Sequence, residues 1–154
     1  MKEKIDNILG KSLTIIMGLM VINVLLQVFA RFLKISAPFT EEVAGFLLIW
    51  VGLLGASYAT GKKMHLAIDL LPRSKSPSAQ KKFSLLINSI VILFALSVMV
   101  IGGFRLVYIT ISLNQLSPVL EIPKGYIYLV MPLSGFLIIY YSLINMKDQK
   151  PFGE

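Results

Sequence analysis

The chain has 154 residues, 56% of them hydrophobic and only 15% charged, with a mean hydropathy of +0.77. An average soluble domain carries about 25% charged and about 45–50% apolar residues, so this composition argues against a water-facing globule and against a soluble enzyme. The formal charge of +7 would suggest nucleic acid as the partner of a soluble protein, but in a membrane protein the placement of charges matters more than their sum.

A helix needs about 20 mostly apolar residues to cross a hydrocarbon core roughly 30 Å thick. The first such run spans Leu13 to Ala30 and stops at Arg31. A cleaved signal peptide is its rival, since Val28-Phe29-Ala30 loosely fits a small-residue cleavage site. The run is nevertheless longer than the usual 7–15 residues of a signal peptide, roughly 18 in all, and reads as a span. The second span runs from Val43 to Thr60, before Lys62-Lys63. Thr40 is the expected cap, with Glu41 and Glu42 in the first turn complementing the helix dipole. The middle loop places Lys62, His65, Asp69 and Arg73 on one helical face, which predicts a short amphipathic helix in the membrane interface. The alternative is a continuation of the second helix into the headgroups. Ser76-Pro77 reads as a cap and a first-position proline, and the third span follows from Phe83 to Gly103. The fourth runs from Tyr126 to Ile144, with Pro132 expected to kink it. None of the runs alternates as a strand would. The expected fold is an all-α integral membrane protein, one domain over residues 1–154.

Charge placement orients these spans. Lys2, Lys4, Lys11, Lys62, Lys63, Arg73, Lys75, Lys81, Lys82, Lys147 and Lys150 fall on one side, and Arg31, Lys34, Arg105 and Lys124 on the other. The excess of basic residues in cytoplasmic loops predicts that both termini and the middle loop are cytoplasmic. That topology accounts for the net charge without nucleic acid.

The residues offer little chemistry. With no cysteine and one histidine, the chain lacks a thiolate nucleophile or thiolate metal site, and a bis-histidine haem would need a second chain. His65 and Asp69 are four residues apart, but even a catalytic zinc site wants three protein ligands. No catalytic residue, metal site or cofactor is predicted, and no P-loop, dinucleotide fingerprint or nucleophile elbow occurs in a plausible context. None of the eight acids (Glu3, Asp6, Glu41, Glu42, Asp69, Glu121, Asp148 and Glu154) lies at mid-membrane, where an autonomous proton-coupled carrier usually holds an ionisable group. Arg31 and Arg105 read first as anchors that snorkel to the interface. The spans carry instead a polar stripe, Asn23, Gln27 and Arg31, and a line of small residues that includes Gly52 and Ala56. Both let membrane helices approach closely and hydrogen-bond, within the chain or against a larger partner.

The ordered segments Arg31-Phe32, Thr40-Glu41-Glu42-Val43-Ala44, Trp50-Val51-Gly52-Leu53-Leu54-Gly55-Ala56 and Lys62-Lys63-Met64-His65-Leu66-Ala67-Ile68-Asp69 resemble the small membrane subunit of tripartite ATP-independent periplasmic (TRAP) transporters. Leu120-Glu121-Ile122-Pro123, Tyr128 and Met131-Pro132 resemble that family's last loop and fourth helix. Lys124-Gly125 departs from the aromatic residue many relatives have there. The resemblance implies a bacterial inner-membrane subunit beside a large, elevator-type, sodium-coupled membrane subunit. A soluble periplasmic protein would deliver an organic acid, such as a dicarboxylate or sialic acid, to that pair. On this basis Asn23, Gln27, Gly52 and Ala56 are expected in helix packing. Arg31, Glu41 and Glu42 are expected in an inter-helix or inter-subunit ion pair, and Trp50 against protein rather than lipid. His65 and Asp69 would pin the cytoplasmic interface helix. Lys34, Ser117, Glu121 and Lys124 are the exposed periplasmic groups expected to meet the binding protein. The rival readings are an autonomous homodimeric exporter and a membrane enzyme or quinone-linked electron carrier. The first would need an embedded acid, and the second would need redox ligands.

Overall fold

The computed structural model describes residues 2–62 and 77–147. Helix α1 is Lys2–Phe32 and α2 is Pro38–Gly61. The third long helix comprises α3 (Pro77–Phe94), a π-helical stretch (Ala95–Gly102) and α4 (Gly103–Ser112). The last comprises α5 (Lys124–Tyr128) and α6 (Val130–Lys147). Four helices are thus long and apolar enough to cross a membrane, as expected: Lys2–Phe32, Pro38–Gly61, Lys82–Ser112 and Lys124–Lys147. Each exceeds its apolar run: α1 continues back through the polar residues before Leu13, and the third helix runs past Arg105 to Ser112 through mostly apolar residues. At 1.5 Å per residue, α1 is about 46 Å long against a core of roughly 30 Å.

The helix ends refine the sequence reading. The second helix begins at Pro38 with Ala37 at the cap position and no side-chain cap. Thr40 is therefore not the cap. Proline supplies a preset φ and lacks an N–H that would go unpaired, so the helix starts earlier, and the buried Thr40 hydroxyl donates to the Ala37 carbonyl at 2.7 Å. Pro132 cannot donate to the carbonyl one turn before it, and the fourth helix breaks at Leu129 between α5 and α6. His65, Asp69 and Ser76, with the expected interface helix, lie outside the described residues.

Helix α6 occupies the centre, between α2 on one side and the third helix on the other. Leu9 and Leu13 of α1, Leu54 of α2, and Val130 and Tyr141 of α6 form one apolar cluster. Ala95 and Met99 meet Ile138 in a second. The wide turn of a π-helix sets the adjacent residues Met99 and Val100 both against Gly135 of α6. Helix α1 packs chiefly on α2 and is the most peripheral, with none of its most apolar stretch buried.

Candidate functional site

Polar side chains gather at the two ends of the bundle. At the loop end, Asn23 donates through Nδ2 to the Thr40 carbonyl at 2.8 Å, and Gln27 donates through Nε2 to Glu41 Oε1 at 3.4 Å. The stripe on α1 thus faces the first turn of α2. A hydrogen bond between membrane helices contributes about 0.6 kcal/mol on average, with a maximum near 1.7. Asn23→Leu is therefore expected to lower stability in detergent by about 1 kcal/mol, read as a lower midpoint of thermal unfolding.

Glu42 does something the sequence did not suggest. Its Oε2 accepts two backbone N–H groups, from Val119 at 3.2 Å and Leu120 at 2.8 Å. One carboxylate oxygen thereby fixes the loop between α4 and α5 over the start of α2. Among the described residues, the ion pair within the chain is Lys62–Asp6. The intramolecular form of the expected pairing of Arg31 with Glu41 or Glu42 is thus not formed.

The 113–123 loop is held from inside as well. Ser117 accepts at Oγ from the Ile122 N–H at 3.1 Å, and its own N–H donates to the Ile122 carbonyl at 2.9 Å. Ser117 is 2% exposed, which corrects the expectation of an exposed docking group: its hydroxyl is consumed in closing the turn. Lys34 and Glu121 are exposed and Lys124 is partly so. Lys34, Asn114 and Glu121 have φ of 56°, 47° and 55°. Lys34 ends α1 as a Schellman motif, with Ile35 N–H donating to the Ala30 carbonyl at 2.9 Å and Lys34 N–H to Arg31 at 3.1 Å. Asn114 ends α4 in the same way, through Gln115 to Thr110 and Asn114 to Ile111. Glycine is the usual residue at such a position, so Lys34 holds a left-handed conformation at some cost in strain.

Along the spans, Trp50 is half-buried beside Leu9, Leu54 and Leu137. Gly52 and Ala56 face outward, and a Cβ added at Gly52 would meet nothing within 4 Å. They do not pack against this chain's own helices.

The opposite end carries a cluster that sequence reasoning missed. The Tyr141 hydroxyl donates to Asp6 Oδ1 at 2.6 Å, and Lys62 Nζ lies 3.3 Å from Asp6 Oδ2. The Lys62 ammonium also sits 5.5 Å from the centroid of the Tyr58 ring. Asn145 Nδ2 donates to the Thr60 carbonyl at 2.9 Å. These contacts tie α1, α2 and α6 together. The available signal was an acid, Asp6, seven residues ahead of the apolar run of a helix otherwise destined for lipid. Among the described residues no group of three or more His, Cys, Asp or Glu could hold a metal ion.

A family model described as the DctQ component of tripartite ATP-independent periplasmic transporters matches residues 20–149. A protein of Haemophilus influenzae named as a TRAP transporter small permease is 26% identical over 143 residues, covering 90% of this chain and 87% of the relative. The isethionate TRAP transporter permease protein DctMQ of Oleidesulfovibrio alaskensis is 25% identical over 114 residues. That match covers 74% of this chain but only 18% of the longer relative. With matched residues running from the first span through the last, the chain belongs to the DctQ family, the small membrane component of TRAP transporters.

Proposed function

We propose that this chain is the non-transporting small subunit of a sodium-coupled, binding-protein-dependent uptake system for organic acids in a bacterial inner membrane. Its four spans act as one membrane domain with both termini in the cytoplasm, a topology supported by the asymmetry of lysine and arginine between loops. The domain enlarges and anchors the static wall of a large membrane subunit, and its loop end helps receive a periplasmic substrate-binding protein.

One observation carries the scaffold reading. The carboxylates that a cation-driven carrier would need are engaged in holding the bundle: Asp6 by Tyr141 and Lys62, Glu41 by Gln27, and Glu42 by two loop amides. Pairing with a large subunit is supported by the DctMQ relative, in which the part like this chain is a small fraction of the whole. The outward line of Gly45, Gly52 and Ala56 on α2 gives such a partner a face on which backbones approach closely. Sodium coupling rests on the family resemblance. The organic-acid class is supported also by the isethionate named for the relative.

Gentle purification of the chain should bring down a large multi-span protein. The reconstituted pair should take up an organic acid with sodium only when the periplasmic protein is added. Transport by this chain alone in liposomes would overturn the proposal in favour of a homodimeric exporter.

Glu42 separates two roles for the loop end. Glutamine keeps one oxygen able to accept both amides and loses only the charge, whereas alanine leaves two N–H groups without their acceptor. Unsatisfied buried donors cost about 1–3 kcal/mol each; Leu120 N is part-buried and Val119 N is exposed. Glu42→Ala is therefore expected to loosen the loop by about 2 kcal/mol and to weaken uptake, with Glu42→Gln close to wild type. If glutamine disrupts copurification as strongly as alanine, the charge itself is the contact and an inter-subunit ion pair is the role.

A further inference from the structure

A groove of about 480 Å³ opens on the flank of the bundle between α1, α2 and α6. Ile8 and Ile15 of α1, Trp50 and Leu54 of α2, and Leu133 and Leu137 of α6 form most of its wall. On α1 the lining extends from Ile5 to Ile16, roughly 16 Å along the axis. The apolar run of α1 begins at Leu13, so the groove runs from the membrane interface into the hydrocarbon. The groove is elongated and lined almost wholly by apolar side chains, a shape and chemistry that an extended hydrocarbon chain fills.

The charges at its rim favour one kind of lipid. Lys4, Ile8, Lys11 and Ile15 follow at i, i+4, i+7 and i+11, one stripe of α1 along the edge of the groove. Both lysines are exposed, and among the described residues neither ammonium has a hydrogen-bonding or ionic partner. Helical side chains lean toward the N-terminus, so Lys11 extends away from the hydrocarbon, along the stripe that also carries Lys4. Asp6, the nearest described acid engaged in a contact, faces Tyr141 and Lys62 instead.

We propose that this groove seats one acyl chain of an anionic phospholipid, with the headgroup phosphate held by Lys4 and Lys11. A resident lipid would complete the surface that α1 and α6 leave open beside Trp50. The site does not depend on the transport role argued above.

Trp50 is the only tryptophan in the chain and lies in the wall, so it reports occupancy directly. The full chain would be reconstituted in phosphatidylcholine vesicles containing a minor fraction of lipid brominated at mid-chain, either phosphatidylglycerol or phosphatidylcholine. Brominated phosphatidylglycerol should quench Trp50 at a severalfold lower mole fraction, with about fivefold preference for each lysine engaged. The paired substitution Lys4→Gln and Lys11→Gln should abolish the preference and leave quenching by brominated phosphatidylcholine unchanged. Native mass spectrometry of the assembly extracted from its membrane should show a phosphatidylglycerol adduct that the paired variant loses. Equal quenching by the two lipids, a preference that survives the paired substitution, or adducts equal in both proteins would overturn the proposal.

Discussion

Replacing Gly135 with valine is expected to destabilise the bundle by about 3 kcal/mol, the upper end of the usual cost of overpacking a core. A Cβ at this position would lie 2.9 Å from Met99 Cβ and from Val100 Cγ2, and 3.3 Å from the Val100 backbone nitrogen. Neither a Cβ nor a backbone nitrogen can swing aside, so relief requires α6 to move away from the π-helical segment. That would open the contact of Ala95 and Met99 with Ile138. Thermal unfolding in mild detergent, followed by circular dichroism, should show a clearly lowered midpoint. Gly52→Ala is the control. Its new methyl group meets nothing within the chain, and the gain in helix propensity should raise stability by about 0.5–1 kcal/mol. If Gly135→Val unfolds with the wild type, the close approach of α6 to the third helix is not a determinant of the fold.

The second large effect lies at Asp6. Asp6→Ala removes the acceptor of the Tyr141 hydroxyl, which is fully buried. An orphaned buried donor costs about 1–3 kcal/mol. The Lys62 contact adds less, since the lysine side chain is 43% exposed and such pairs contribute about 1 kcal/mol or below. Asp6→Ala is therefore expected to cost about 3 kcal/mol in all. Asp6→Asn retains an oxygen for Tyr141, loses the charge that attracts Lys62, and should cost about 1 kcal/mol. Comparison with Tyr141→Phe in a double-mutant cycle isolates the pair. Independent effects of Asp6→Ala and Tyr141→Phe would show that the 2.6 Å contact does not couple α1 to α6. Crowding at the same place is shown by Gly61, where an added Cβ would fall 2.7 Å from the Tyr141 ring.

The four spans were legible because bilayer thickness writes itself into the sequence as runs of apolar length. The stripe of Asn23 and Gln27 was legible because its spacing is that of a helix face. The π-helix left no such mark: Ala95–Gly102 is apolar but for Ser97, and its extra-wide turn brings Met99 and Val100 against Gly135 on a helix remote in sequence. Glu42 was legible as a helix-start acid but not as a clamp, because its partners are backbone amides, which every loop has. Ser117 illustrates the reverse error. A serine in a loop between spans reads as surface, yet the turn buries it to satisfy its own backbone. Gly52 and Gly135 are indistinguishable as letters on membrane helices, and only packing separates the open one from the enclosed one.

The central position of α6 has a consequence for how the protein is made. Chains emerge from the ribosome in order, N-terminal segments first, so the three earlier helices enter the bilayer before the helix that fills the middle. Until Val130, Ile138 and Tyr141 arrive, neither apolar cluster can close, and Asp6 and Ser57 wait for their partners, Tyr141 and the Ser134 carbonyl. Before that helix arrives, the contacts available to the earlier spans are chiefly those of α1 with α2. The final helix acts as the keystone, converting those spans into a bundle in one late step.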